Sequence, residues 1–177
     1  MTSDKTGILF ANNLKYDEKF NIYTYRNFYN GGGVAIGDIN NDGFDDLFIS
    51  APFNAGAGTQ SGAAYVVFGR AQNPGALNLD NVALGQGGFK LLGEGSFDQA
   101  GTSIQLAGDV NADGLPDLLV GATNENSSYV VFGRETWPAS ISLRDISNGI
   151  GGFRILGNSG EGASIVAPVG DVDPVSY

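Results

Sequence analysis

One acidic loop occurs twice in this chain, and each copy is followed directly by a short apolar run. The copies read GDINNDGFDDLFIS and GDVNADGLPDLLVG. Side-chain oxygens recur at loop positions one, three, five and nine, contributed by Asp38, Asn40, Asp42 and Asp46 in the first copy and by Asp109, Asn111, Asp113 and Asp117 in the second. Alternating oxygen ligands in a tight turn are typical of a site for a hard divalent cation. The pattern therefore predicts two calcium sites.

The main chain is expected to complete each site. The carbonyl at position seven, which belongs to Phe44 or Leu115, is the predicted fifth oxygen ligand. Gly43 and Gly114 stand at position six, where the turn is sharpest and a side chain is expected to be in the way.

Other calcium loops share part of this pattern. An EF-hand requires Glu at position twelve and flanking helices, whereas position twelve is Ile49 or Val120 and the following runs are typical of buried strands. A dockerin-type loop also leads into a helix, and a thrombospondin-type repeat carries cysteines, which this chain lacks. A single copy is compatible with an Asx-rich turn that binds no metal. Recurrence of the ninth-position Asp and of the following strand favours metal binding.

Composition limits the remaining functions. A chain of 177 residues with 28 glycines and few helix-period segments indicates one all-β domain. Its net charge of −10 argues against binding nucleic acid or anionic membranes, which require a cationic face. Two bound calcium ions would change that charge to −6. No apolar run approaches the ~20 residues of a membrane span, so no membrane insertion is expected.

Catalytic residues are not evident. The chain has no histidine and no cysteine, which excludes Ser-His-Asp and Cys-His chemistry and a disulfide framework. Paired carboxylates at Asp17-Glu18 and Asp45-Asp46 are compatible with a glycosidase, but adjacent residues of a strand point to opposite faces. We therefore expect no enzymatic activity from this chain.

Self-similarity extends well beyond the loops. Three further segments recur with an offset of 64 residues: Tyr65–Arg70 as Tyr129–Arg134, Leu77–Val82 as Ile141–Ile146, and Gly88–Gly93 as Gly152–Gly157. Each unit contains four strand-like runs, predicted near Val34–Gly37, Asp46–Ser50, Ala63–Phe68 and Phe89–Leu92, then Ser103–Ala107, Asp117–Gly121, Ser128–Phe132 and Phe153–Leu156. A third unit begins at Ala163–Val169. Four antiparallel strands in each repeat are typical of a β-propeller blade.

These motifs together resemble the FG-GAP repeat, the blade of the integrin α-subunit propeller. The resemblance rests on Gly108–Gly114, Asp117–Ala122 and Tyr129–Gly133, preceded by Gly101-x-Ser-Ile. It implies an all-β propeller with one calcium ion in each loop. In that family the loops lie opposite the ligand-binding face, which implies a structural role for calcium.

The resemblance also implies a division of the chain. Residues 1–30 form a lead-in that resembles bacterial VCBS/ASPIC-type propeller proteins, residues 31–100 and 101–161 form one blade each, and residues 162–177 begin a third repeat. Its loop starts at Gly170-Asp-Val-Asp but has Pro174 and Val175 where the pattern requires other residues. Two blades are fewer than the roughly seven of a closed propeller. We therefore expect an incomplete propeller whose copies associate into a homo-oligomer.

Three functions remain open. The first is a calcium-stabilised adhesion or binding scaffold, extracellular or at the cell surface, with a protein or glycan ligand. The second is a non-catalytic accessory module of a secreted hydrolase. The third is a lectin-like carbohydrate-binding propeller.

Overall fold

The computed structural model describes residues 34–72, 75–123 and 126–157. The predicted lead-in and third repeat lie outside these residues. The described chain forms two sheets built on antiparallel four-stranded meanders, which we call blade 1 and blade 2. Blade 1 contains, in chain order, β1 (Val34–Gly37), β2 (Asp46–Ala51), β3 (Ala63–Val67) and β4 (Gly88–Leu92).

Blade 2 repeats this meander. It contains β5 (Ala100–Gly108), β6 (Asp117–Ala122), β7 (Ser127–Val131) and β9 (Gly152–Leu156). β5 is longer than predicted and its register with β6 shifts twice, between Ala100 and Ser103 and between Leu106 and Gly108. The all-β fold of four-stranded blades predicted from the sequence is confirmed.

A fifth strand in blade 1 was not predicted. β8 (Ser140–Ser142) follows β7 in the chain but pairs in parallel with β4, so a segment from the second repeat extends the first sheet. A run of three residues is too short for its alternation to identify a strand. Its pairing is also decided by the neighbouring blade and not by local sequence.

A one-turn helix occurs at the same place in each repeat. α1 (Leu79–Ala83) begins after Asn78, whose side chain accepts a hydrogen bond from the N–H of Asp80. α2 (Leu143–Ser147) begins after Ser142, which caps Arg144 in the same way. Both caps satisfy an N–H that has no partner within its own helix. The helices direct the chain back to the last strand of each blade.

The main core lies between the two blades. Alternate residues of each strand point to the same face, and one face of blade 1 contributes Phe48, Val66 and Phe89 to the core cluster. Blade 2 contributes the opposite face of the equivalent strands, which includes Leu118, Val120, Ala122, Tyr129 and Val131. Each sheet therefore buries its apolar side chains against its neighbour, as blades of a propeller do.

Candidate metal sites

The first acidic loop connects β1 to β2 and is held by its own side chains. Asp38 accepts hydrogen bonds from two main-chain groups, with 3.2 Å from Oδ1 to the nitrogen of Asp42 and 2.9 Å from Oδ2 to the nitrogen of Gly43. Asn40 Oδ1 lies 3.1 Å from the same Asp42 nitrogen. The side-chain oxygens of Asp38 and Asn40 therefore accept hydrogen bonds from the same N–H group, that of Asp42.

Position five closes the turn. Asp42 Oδ1 accepts a hydrogen bond from the N–H of Phe44 at 2.9 Å. Its second oxygen accepts one from Asn40 Nδ2, also at 2.9 Å. The loop is thus an Asx-rich turn in which each of the three side chains bonds within the loop.

The ninth position differs because Asp46 is fully buried at the start of β2. Its two oxygens accept hydrogen bonds from the N–H groups of Ile39 (2.9 Å) and Gly69 (2.7 Å), so it joins the loop to the end of β3. Burial raises the pKa of Asp46; the two hydrogen bonds oppose the rise, and the nearby carboxylates of Asp42 and Asp38 add to it. The carboxylates of Asp42 and Asp38 are therefore close enough to repel that of Asp46.

The second loop, between β5 and β6, reproduces these contacts. The carboxylate of Asp109 accepts hydrogen bonds from the N–H groups of Asp113 and Gly114, at 3.0 and 2.8 Å. Asn111 Oδ1 lies 3.1 Å from the nitrogen of Asp113. Buried Asp117 accepts from Val110 at 2.8 Å and from Gly133 at 2.7 Å. The same side-chain pattern thus produces the same local structure in both blades.

Comparisons with known proteins agree with this repetition. A family model described as FG-GAP repeat matches residues 30–67 and 100–133, which include both loops. The chain carries FG-GAP repeats. Integrin alpha-5 of Xenopus laevis is 35% identical over 114 residues, covering 64% of this chain and 10% of that protein. Integrin alpha-3 of Mus musculus is 37% identical over 102 residues, covering 58% of this chain and 9% of that protein.

A relative of another kind is also similar to this chain. Phosphatidylinositol-glycan-specific phospholipase D of Dictyostelium discoideum is 28% identical over 137 residues, which cover 67% of this chain and 14% of that protein. The chain therefore spans about a tenth of the length of the curated relatives it matches. The similarity to FG-GAP repeats is confirmed, while the resemblance of the lead-in to VCBS/ASPIC-type proteins stays a prediction.

The glycine of each FG-GAP loop is explained by its backbone conformation. Gly43 and Gly114 have φ of 85° and 87°, a region that side chains disfavour. A Cβ built on either glycine meets no atom within 4 Å. The expectation that a side chain would be in the way is therefore wrong for the surrounding protein atoms. The left-handed backbone is the constraint.

The donor set of each loop fits a hard divalent cation. It consists of three carboxylates and one amide oxygen, with Asp46 placed beside Asp38 through its bond to Ile39. Within the described residues, no lysine or arginine forms an ion pair with these carboxylates. Oxygen-rich, negatively charged sites of this kind suit calcium.

The structure does not gather all the predicted ligands around one point. In the part of the chain that is described, no three acidic side chains form a group placed to hold a metal ion. The carboxylates of Asp38 and Asp42 are directed at main-chain N–H groups, and Asn40 donates to Asp42. Phe44 is exposed and Leu115 is half-buried. Binding calcium would require the bond between Asn40 and Asp42 to open.

Two partners of the loops were missed by sequence reasoning. Gly69 and Gly133 donate their N–H groups to the buried carboxylates of Asp46 and Asp117. An added Cβ would lie 2.4 Å from the carbonyl oxygen of Asp45 at Gly69 and 2.6 Å from that of Pro116 at Gly133. The repeated Phe-Gly-Arg tripeptide could have indicated this contact, because only glycine allows the two main-chain segments to approach so closely.

Proposed function

We propose that each FG-GAP loop binds one calcium ion and that calcium stabilises the blades of an adhesion or binding protein. The proposal rests on one observation above all, that two loops separated in sequence hold the same oxygen donors in the same hydrogen-bonded arrangement. Asp38, Asn40, Asp42 and Asp46 would hold one ion with the Phe44 carbonyl. Asp109, Asn111, Asp113, Asp117 and the Leu115 carbonyl would hold the other.

Calcium would act on folding through charge. In the first loop the buried carboxylate of Asp46 lies near those of Asp42 and Asp38, and their repulsion of Asp46 disfavours the folded loop. A divalent cation removes this repulsion and replaces the bond between the Asn and Asp side chains. Asp46 also accepts a hydrogen bond from the N–H of Gly69 at the end of β3. A calcium ion bound by Asp46 would therefore stabilise the contact between the β1–β2 loop and the end of β3.

The setting is inferred from the relatives. Two of them are named integrin alpha subunits, and we propose that this chain likewise belongs to an extracellular or cell-surface protein with protein partners. No helix among the described residues has the length and apolar character needed to cross a membrane. On this proposal the blades are a scaffold and contribute no catalytic group.

A second candidate function follows from the relative named phosphatidylinositol-glycan-specific phospholipase D. There the same repeats would be an accessory module of a hydrolase. Turnover of a phosphatidylinositol-glycan by this chain with its flanking sequence, and by the flanking sequence alone, separates the two functions. The scaffold proposal predicts no turnover by either protein, whereas the accessory-module proposal predicts turnover that depends on the flanking sequence.

We also propose that copies of the chain associate. Apolar side chains are exposed on one edge strand of each blade. They are Val34 and Ile36 on β1 of blade 1, and Ile155 and Leu156 on β9 of blade 2. A sheet that cannot bury these residues alone gains stability by packing against another blade.

Thermal unfolding in calcium and in excess chelator tests the metal proposal. A ligand that binds only the native state at a hundredfold excess over its dissociation constant contributes about 2.7 kcal/mol per site. We expect a clearly higher melting temperature in calcium. The variant Asp45→Asn is the matched control, because Asp45 is an exposed acidic residue outside the ligand set. It should keep the response to calcium. Identical melting curves with calcium and with chelator would contradict the proposal.

A further inference from the structure

The outer edge of blade 1 is closed by a strand from the next repeat. β8 pairs in parallel with β4, with Lys90 opposite Ser140 and Leu91 opposite Ile141. The N–H of Lys90 donates to the carbonyl of Ala139 at 3.0 Å. Phe89 and Leu91 of β4 are fully buried.

The equivalent edge of blade 2 is open in the described part of the chain. β9 pairs with β7 on one side, and no strand among residues 34–72, 75–123 and 126–157 pairs with its other side. Phe153 and Ile155, which correspond to Phe89 and Leu91, are 39% and 41% exposed, whereas both blade 1 residues are 0% exposed. Equivalent sequence therefore has a different environment, because among the described residues neither a fifth strand nor a following blade covers β9.

The chain also contains a segment equivalent to that strand. Residues 76–78 correspond to Ser140–Ser142 of β8, yet all three are exposed. Leu77 is 38% exposed, whereas its counterpart Ile141 is 6% exposed. Asn78 and Ser142 share an extended backbone, with φ and ψ of −104° and 121° against −86° and 126°, and both cap the following helix. Residues 76–78 therefore resemble β8, although no strand of the described chain pairs with them.

A nearby turn shows the same difference. A Cβ added to Gly85 would lie 3.2 Å from the Cβ of Ala139, the residue that precedes β8. The corresponding Gly149 has nothing within 4 Å. Within the described ranges, blade 2 thus has no counterpart of the contact that β8 makes with this turn of blade 1.

We propose that residues 76–78 of one copy add as a parallel strand to the free edge of β9 in a second copy. The β4–β8 register places Ala76 opposite Arg154 and Leu77 opposite Ile155. Leu77 and Ile155 then bury each other. The inference rests on the self-association proposed above and does not depend on calcium. The two surfaces differ, so the contact is head-to-tail and each copy offers one of each.

The contact between copies should be weaker than its counterpart within the chain. Trp137 stacks on Phe89 with ring centroids 4.3 Å apart, which adds to the β4–β8 contact. The sequence has Asn73 at the position corresponding to Trp137. We therefore expect association that depends on concentration and that dilution reverses.

A backbone substitution tests the edge. β9 has the same register with β7 as β4 has with β3, with Tyr129 opposite Arg154 and Tyr65 opposite Lys90. The N–H of Arg154 therefore points to the open side, as that of Lys90 points to Ala139. Arg154→Pro removes this N–H without removing a bond to β7. Arg154→Ala is the matched reference, since it also loses the ion pair with Glu94 but keeps the N–H.

Analytical ultracentrifugation of the full chain over a range of concentrations measures the effect. Arg154→Pro should associate about fivefold more weakly than Arg154→Ala, or more, which is the equilibrium equivalent of one net hydrogen bond. Circular dichroism of both variants establishes that each is folded. Equal association by the two folded variants would overturn the proposal.

A mixing experiment identifies the partner surface. Leu77→Ser weakens the donor segment, whereas Arg154→Pro weakens the acceptor edge, so each variant alone should be monomeric at a concentration where the wild type associates. Together they should form a one-to-one complex that does not grow, because one intact segment meets one intact edge. A mixture that sediments as two monomers, or a wild type that is monomeric at every concentration, would overturn the proposal.

Calcium binding is measured on the same samples by calorimetry. A wild type that binds two calcium ions but never associates rejects the strand pairing alone. An associating wild type that binds no calcium rejects the metal proposal alone. The two failures are therefore distinguishable.

Discussion

The two blades are nearly identical in their acidic loops and different at their outer edges. The hydrogen bonds of Asp38 and Asp109 to the turn differ by no more than 0.2 Å between blades, being 3.2 and 2.9 Å in one and 3.0 and 2.8 Å in the other. Phe89 and Phe153, in contrast, are equivalent in sequence but buried in blade 1 and exposed in blade 2.

This contrast separates local from tertiary determinants. Most contacts within a loop join residues only a few positions apart, so the sequence of the loop determines them wherever it occurs. Burial of the last strand depends on whether the following repeat packs its blade against that strand and supplies β8. A repeat of this kind is therefore stabilised partly by its own sequence and partly by the repeat that follows.

Alanine substitutions at the equivalent phenylalanines should show the largest difference. Phe89→Ala removes a fully buried ring that stacks on Trp137, and we expect a loss of about 3–5 kcal/mol. Phe153→Ala should cost about 1 kcal/mol, because its ring is already partly in water. Urea unfolding of dilute samples measures both.

Measuring the same two variants at higher protein concentration tests whether a second copy covers β9. If a second copy covers β9, the cost of Phe153→Ala should increase with concentration while that of Phe89→Ala stays constant. Equal costs for the two variants in dilute solution would show that the blade edges do not differ in solution.

The next comparison concerns the segments before the helices. Ile141→Ala should destabilise the chain by about 2–3 kcal/mol, because Ile141 of β8 is buried in the main core. Leu77→Ala at the equivalent position should cost less than about 1 kcal/mol in dilute solution, because Leu77 is exposed. The two unfolding free energies should therefore differ, and a similar cost at Leu77 would mean that it is already buried in the monomer.

A smaller effect is expected at the paired tyrosines. Tyr129 donates a 2.7 Å hydrogen bond to Glu94 Oε1, and burial, with the neighbouring carboxylate, raises the pKa of its hydroxyl. Tyr129→Phe should cost about 1.5 kcal/mol, as for a hydrogen bond to a charged group. Tyr65, whose hydroxyl only meets Asn54 at 3.4 Å, should tolerate Tyr65→Phe almost without loss. Thermal unfolding of both variants measures the two losses of stability. A larger loss for Tyr65→Phe than for Tyr129→Phe would contradict the prediction.

Much of this architecture could be predicted from the sequence. The eight predicted strands are present because each is an apolar run between turn residues, and the acidic loops lie between the first two strands of each blade. β8 could not be predicted, since its three residues pair with a strand of another repeat. For the same reason the sequence could not predict that Leu77 is exposed and Ile141 buried, although the two residues occupy equivalent positions in their repeats.

The sequence predicted which side chains share each acidic loop but not the conformation that they adopt. Spacing identified the side chains of the loop because their bonds are local. The contact of Asp46 with Gly69 spans two strands and appears only after β2 and β3 have paired. The bond between Asn40 and Asp42 was likewise not predicted. Calcium itself remains a proposal.

Isothermal titration calorimetry with calcium tests the central claim most directly. The wild type should bind two calcium ions, Asp46→Asn and Asp117→Asn should each bind one, and the double variant should bind none, since each buried carboxylate serves one loop. Magnesium should compete poorly because it requires a tighter octahedral site. Two equivalents in both single variants, or no binding by the wild type, would contradict the account.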